Sequence, residues 1–178
     1  MKIKSILFIL LFSVSAFAQK APLAAETVIK NAVKKAKKED KNIFVIFHAS
    51  WCGWCILMDK SIKDKACKPH FEQNYVIVHL DVLENKDKKH LENPGGEAYM
   101  NKMGGKGQGL PYWIVLDKKG NMLSDSKYKK EGNEMGQNLG CPAKEDEVQF
   151  LIEVLKKTSK IDSTALDAIA DRFRKNAQ

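Results

Sequence analysis

Residues 47–60 read FHASWCGWCILMDK, with Cys52 and Cys55 separated by Gly53 and Trp54, and Trp51 before the first cysteine. Two cysteines at this spacing can hold a metal, anchor a haem, staple a turn or exchange disulfides. The neighbouring residues say where the pair sits. KNIFVIF (41–47) is a short apolar run rich in β-formers, which predicts a buried strand. In CILMDKSIKDKA (55–66), Ile56, Leu57, Ser61 and Ile62 fall at helical intervals, so the pair opens a helix.

Other elements follow outward from this strand and helix. Ala25, Val28, Ile29, Ala32, Val33 and Ala36 recur at helical spacing with lysines opposite, predicting a helix over 24–38. YVIVHLDV (75–82) reads as a second strand, and LPYWIVLD (110–117) as a third with Pro111 at its start. KKGN (118–121) is a tight turn, and MLSDS (122–126) fits an edge strand. Between the second and third strands lies a polar, glycine-rich connection, 83–109, with one helix around 96–103. Connections of this length are usually functional or mobile. KEDEVQFLIEVLKKTS (144–159) places Val148, Leu151, Ile152 and Leu155 on one face, acids first and lysines last, as a charged amphipathic helix. Asp162 is positioned as the N-cap of a final short helix. The chain has no internal repeat and no low-complexity tract. The order of elements predicts an α/β layered fold.

FVIFHASWCGWC, YVIVHLDV and GLPYWIVLDKKGN, in this order and spacing, resemble the thioredoxin superfamily. The resemblance covers about residues 25–157, and is closest to exported thioredoxin-like proteins of bacteria with a W-C-x-W-C motif. The tail GQNLGCPAKEDEVQFLIEVLKKTS (136–159) is similar to the C-terminal part of such chains from Bacteroidetes-type bacteria. The resemblance implies a thioredoxin-like fold: a central mixed sheet flanked by helices, with an extended connection before a cis-proline strand and an extra C-terminal helix. It also implies that Pro111 is cis and faces the cysteine pair, leaving the Leu110 backbone free to pair with an extended substrate.

The N-terminal stretch stands apart from this fold. Basic MKIK, apolar SILFILLFSVSAFA and the small-residue pattern Ala16–Phe17–Ala18 read as a secretory signal peptide, 1–18, cleaved near Ala18–Gln19. The expected mature chain is one thioredoxin-like domain, 19–178, with its core at about 25–157 and a helical extension at 160–178. Its expected location is the periplasm or the medium, where disulfides persist. The length of 178 residues suits one domain with a sizeable core, and 44% hydrophobic and 29% charged residues exclude a disordered chain. The net charge of +8 includes Lys2 and Lys4 of the leader. The other lysines alternate with acids on helix faces, so the excess describes a solvated surface and no nucleic-acid partner is expected.

The chemistry of the pair narrows by exclusion. Structural zinc wants a second pair, whereas Cys67 and Cys141 are isolated. Haem attachment wants a histidine after the second cysteine, where Ile56 stands. Thiol–disulfide exchange needs a thiolate nucleophile and a nearby resolving thiol. Cys52 sits where the helix N-terminus favours negative charge, and Cys55 lies one turn on and deeper, giving nucleophile and resolver. Gly53 lets the backbone turn after the nucleophile, and Trp51 either rims the site for a partner chain or packs in the core.

Two departures from the family pattern stand out. Trp54 occupies the place of a proline or histidine, so it brings neither stiffness nor positive charge. It therefore points to an intermediate or reducing potential. Ile46 occupies the place of a buried acid, with His79 near the usual lysine, which leaves His48 or His79 as substitutes for proton transfer. The expected partners are cysteine-containing proteins and a membrane electron donor, with no cofactor and no resident metal. A different class of reading keeps the same sulfurs as a soft-metal site for Cu(I). A third treats the 83–109 connection as an adaptor surface. Cys67 and Cys141 read either as a structural disulfide or as two buried free thiols.

Overall fold

The computed structural model describes residues 21–129 and 136–177. The leader and its cleavage point lie outside the described residues.

Strand β1 (Asn42–His48) is the centre of the molecule. Its residues Ile43 to Phe47 are all buried, because both faces of the sheet are covered. It pairs in parallel with β2 (Tyr75–Asp81) and antiparallel with β3 (Tyr112–Leu116), and β4 (Met122–Asp125) completes the order β2-β1-β3-β4. Side chains alternate along β1, so two cores form. Phe44 and Ile46 meet Met58 and Ile62 of helix α2 (Gly53–Ile62), Phe71 of α3 (Lys68–Asn74) and the later helices. Ile43, Val45 and Phe47 meet α1 (Ala25–Glu39) and Met100 of α4 (Gly96–Met100) on the other face. In α1 the buried positions are Ala25, Ala32 and Ala36, small side chains that let the helix lie close to the sheet. This is the thioredoxin-like α/β arrangement anticipated above.

The C-terminal helices complete the first core. Helix α5 (Glu145–Thr158) carries three acids in its first turn and two lysines in its last, as the macrodipole favours. Asp162 caps α6 (Ser163–Arg174) by accepting from Ala165 N–H at 2.9 Å. Leu166, Ile169 and Phe173 of α6 enter the same core as Phe44 and Trp113.

The connection between β2 and β3 is more built than its composition implies. It holds a two-turn 3₁₀ segment at Lys86–Leu91, then α4, then a wide turn through Asn101–Gly105. At Gly105 a Cβ would lie 2.6 Å from Met100 Cγ and 2.8 Å from the Tyr112 ring, so only glycine lets this turn close on β3. Tyr112 Oη donates to the Met103 carbonyl at 2.9 Å and fixes the turn there. Two features have no counterpart in the sequence reading. Helix α3 buries only Phe71, too few apolar positions to show a period. The short pair β5 (Lys127–Tyr128) and β6 (Gln137–Asn138) consists of two residues on each side.

Candidate active site

β1 ends at His48 and the chain turns at once into α2, which places Cys52 at the helix N-cap. Cys52 and Cys55 form a disulfide with 5.2 Å between Cα atoms. The Cys55 N–H points at Cys52 Sγ at 3.1 Å, while Cys55 N–H and Ile56 N–H also reach the Cys52 carbonyl. A thiolate on Cys52 would therefore find a backbone donor already aimed at it, in the positive field of the helix start. Among the described residues Cys52 is the cysteine at a helix start with this donor.

Burial corrects one expectation. Cys52 is 3% exposed and Cys55 5%, so in this oxidised form the resolver is no deeper than the nucleophile. The pair is covered by Ala49 and by Leu110, which pack directly against it. What separates the two sulfurs is the N-cap position of Cys52, not depth.

Leu110 packs on the pair, and the Leu110–Pro111 peptide that follows it is cis. Asn138 braces this loop: its Nδ2 donates to the carbonyls of Gly109 (2.6 Å) and Pro111 (3.1 Å), on either side of Leu110. Asn138 Oδ1 in turn accepts from Ser126 Oγ and from Gly140 N–H. The Leu110 backbone groups themselves have no intrachain hydrogen bond among the described residues. Sequence reasoning missed Asn138, and nothing in GQNLG marks it.

Trp51 and Trp54 form an exposed apolar rim. Trp51 and Trp54 are 51% and 53% exposed, and Ile56 is half exposed beside them. Trp51 is thus at the surface, not in the core, held by its indole N–H on the Leu83 carbonyl at 2.9 Å. Gly53 has open space where a Cβ would stand. Trp54 borders a groove of about 580 Å³ that runs past Leu110 and Asn138 to Lys144 and Glu147 at the start of α5.

The connection after β2 touches the motif from behind. Leu83 adopts a left-handed backbone, φ 55°, which turns its carbonyl toward Trp51. The Glu84 carboxylate, 4% exposed, accepts from both N–H and Oγ–H of Ser50, two residues before Cys52. Glu84 is a second residue missed from sequence, since it lies in a polar run with no pattern.

His48 and His79 lie on the α2 side of the sheet. Ile46 pairs in register with His79, and His79 Nε2 lies 2.7 Å from Asp59 Oδ1 on α2. Asp59 is partly buried, which alone would raise its proton affinity. Hydrogen bonds from His79 and Lys63 outweigh that and hold the carboxyl well below the usual range. Burial pushes the His48 proton affinity down, against the pull of Asp81. Burial pushes Asp81 up, against the pull of His48.

Cys67 and Cys141 are free and buried, which resolves the two alternatives in favour of thiols. Burial raises each to a pKa of about 12, so neither is a thiolate at neutral pH.

Comparison with known proteins agrees with this architecture. The family model described as a thioredoxin-like domain matches residues 29–129. The chain belongs to the thioredoxin-like family. Among curated proteins it is similar to a probable protein disulfide-isomerase ER-60 of Schistosoma mansoni, 36% identical over 47 residues. That match covers 26% of this chain and 10% of the relative, so the chain spans a small part of that protein's length. Among solved structures it is similar to a disulphide isomerase from Xylella fastidiosa Temecula1, with 18% identity, a TM-score of 0.49, and 90% and 97% of the two chains covered. It is also similar to a thioredoxin from Thermus thermophilus, with 17% identity, a TM-score of 0.45, and 71% and 81% covered.

Proposed function

We propose that this thioredoxin-like protein is an exported thiol–disulfide oxidoreductase that reduces or exchanges disulfides in other proteins. The observation that carries the reading is the Cys52–Cys55 disulfide at the start of α2, packed against Leu110 of a cis Leu110–Pro111 peptide. In the reducing direction the Cys52 thiolate attacks a partner disulfide. A bond forms between Cys52 Sγ and one partner sulfur, and the other partner sulfur leaves as a thiolate that takes a proton. Cys55, having lost its proton to solvent, attacks Cys52 Sγ and releases the second partner thiolate. Two electrons pass from the pair to the partner, and the closed disulfide remains. A membrane electron donor then returns the pair to its dithiol form.

The supporting residues have distinct tasks in this reading. The unpaired Leu110 backbone receives an extended partner segment as an added strand. Trp51 and Trp54 give that segment an apolar rim. Export rests on the leader pattern in 1–18, and it places the pair where substrate disulfides exist. With Trp54 between the cysteines, no side-chain cation stabilises the Cys52 thiolate from within the motif, so the protein works on the reductase or isomerase side.

The test is trapping with the mature chain. Cys55→Ser accumulates mixed disulfides with cysteine-containing proteins, and Cys52→Ser accumulates none. A Cys55→Ser protein that traps nothing, together with full insulin reduction by Cys52→Ser, overturns the reading. Equilibration with glutathione gives the direction, and a potential near the strong-oxidant end, about −120 mV, overturns the reductase assignment.

A further inference from the structure

The connection after β2 begins with a closed loop, and that loop is fastened to the turn that delivers Cys52. Its two ends meet at Asp81. The Asn93 N–H donates to the Asp81 carbonyl at 3.0 Å, and Asn93 Oδ1 accepts from the Asp81 N–H at 2.7 Å. Inside the loop, Glu92 Oε1 accepts from the Glu84 N–H and from Lys89 Nζ, both at 2.7 Å. Compact loops with joined ends are frequently functional. Facing it is the turn Ala49–Cys52, closed by the Cys52 N–H on the Ala49 carbonyl at 3.0 Å. Both central residues of this turn are tied to the loop. Ser50 donates its N–H to Glu84 Oε1 at 2.5 Å and its hydroxyl to Oε2 at 2.8 Å. The Trp51 indole N–H reaches the Leu83 carbonyl at 2.9 Å.

We propose that Glu84 is a positioning residue for the redox reaction: its carboxylate, held by the loop 81–93, fixes the Ala49–Cys52 turn and so sets Cys52 at the N-cap of α2. The inference rests on the thiol–disulfide reading, because it concerns how the nucleophile is presented. Contacts run without a gap from Glu92 through Glu84 and Ser50 to the turn that Cys52 closes. Cys52 Sγ in turn receives the Cys55 N–H at 3.1 Å. That donor meets the sulfur only while Cys52 keeps its extended backbone, φ −82° and ψ 100°, ahead of the first helical residue. A loosened turn would lose the alignment, and with it the stabilisation of a thiolate there.

Three observations favour this task over a purely structural one. The sheet does not need the tie, since β1 and β2 are paired in register to their ends, His48 with Asp81. Glu84 is 4% exposed, and a carboxylate is costly to bury unless its oxygens are bonded. Both oxygens are engaged by the one residue Ser50, which fixes direction as well as distance. Lys88 Nζ touches the same hydroxyl only at 3.5 Å, a weaker contact than either bond to Glu84. Leu83, next to Glu84, holds a left-handed backbone that is unfavourable for a bulky side chain, and so keeps its carbonyl on Trp51. Glu84 acts on the sulfur through the backbone of the turn and not by contact.

The test separates reach from charge. Glu84→Asp keeps a carboxylate but is one methylene shorter, so it loses the paired contact with Ser50. Glu84→Gln keeps the length: its Oε1 can accept from the Ser50 N–H, and its Nε2 can donate to the Ser50 hydroxyl oxygen. Both are made in the mature Cys55→Ser chain, and the rate of Cys52 alkylation by iodoacetamide is followed against pH. The midpoint of that profile reports thiolate formation, whereas accessibility alone scales the rate at every pH. Glu84→Asp should move the midpoint up by about half a unit, roughly a threefold loss of thiolate below it. Glu84→Gln should restore the parent midpoint. An absent or downward shift in Glu84→Asp overturns the positioning role, because the turn then holds itself. A shift in Glu84→Gln as large as that in Glu84→Asp overturns it too, because reach then gives no rescue. Alkylation needs no partner protein, so the two readings fail separately. The expected pattern in a chain that traps no substrate supports the positioning role and overturns the disulfide-exchange reading instead.

Discussion

Trp54 lies in the first turn of α2, next to both cysteines, with half of its surface in solvent. Replacing it should cost little stability, since its ring fills no core. Trp54→His should still change the chemistry. A protonated imidazole at the helix start adds positive charge beside the Cys52 thiolate and stabilises the dithiol form. The potential should rise by about 30 mV or more, and 30 mV corresponds to about 1.4 kcal/mol for a two-electron couple. Glutathione equilibration of the variant checks this, and an unchanged potential shows that the residue between the cysteines does not set the poise. Cys67 and Cys141 give the opposite kind of prediction. Their folded pKa of about 12 lies above the thiol value of 9.0 from which burial raises it. Between these values the unfolded chain has released protons that the folded chain retains. Stability is therefore complete below about pH 9 and falls as pH rises toward 12. Denaturant midpoints should drop from pH 8 to pH 10.5. Thiol reagents at pH 8 should modify the reduced active-site pair and leave Cys67 and Cys141 untouched until the protein unfolds.

At the scale of elements, the loop before β3 depends on a side chain from a different strand pair. Asn138, on β6, holds the Gly109 and Pro111 carbonyls and keeps Leu110 against the disulfide. Asn138→Ala should leave β3 and the core intact, since Tyr112 to Leu116 are held by β1. It should lower kcat/KM for disulfide exchange by up to about tenfold through misplacement of the docking backbone. Unchanged kinetics with a normal melting temperature would show that the loop positions itself. This dependence marks the boundary of what a sequence reveals. α1 and α5 are legible because each repeats apolar residues at the helical period, and β1, β2 and β3 because each is a short apolar run rich in β-formers. The cysteine pair is legible because its spacing and its strand–helix setting belong to one chemistry. Asn138, Glu84 and Asp59 are not legible. Each acts through long-range hydrogen bonds, and a single polar residue in a polar stretch carries no period. Helix α3 fails for a related reason, with Phe71 its one buried side chain. The relative depth of the two cysteines is not legible either, because the motif speaks for the open thiolate, whereas the closed disulfide is roofed by Leu110.

Over the whole molecule, α6 is part of the structure that holds α2, and hence the site. Asn176, just beyond α6, is 7% exposed and joins three elements. Its Oδ1 accepts from Ser61 Oγ at the far end of α2 and from Arg172 Nη1 of α6. Its Nδ2 donates to the Pro142 carbonyl at 3.1 Å and reaches Cys141 Sγ at 3.4 Å, ahead of α5. Asn176→Ala would leave the Pro142 carbonyl buried without this donor, while Ser61 keeps the Leu57 carbonyl and Arg172 keeps Asp64. One polar group stranded in this way costs about 1–3 kcal/mol. For a chain of this size each kcal/mol lowers Tm by about 2–4 °C, so a fall of roughly 2–12 °C is expected. Exchange activity well below the new Tm should match the parent, because Asn176 touches neither Cys52, Cys55 nor the Leu110 loop. A Tm within about one degree of the parent would mean that apolar burial of Leu166, Ile169 and Phe173 alone fastens α6. A normal Tm with a loss of activity would mean that the far end of α2 transmits strain to Cys52, which the separate anchoring of Ser50 by Glu84 argues against.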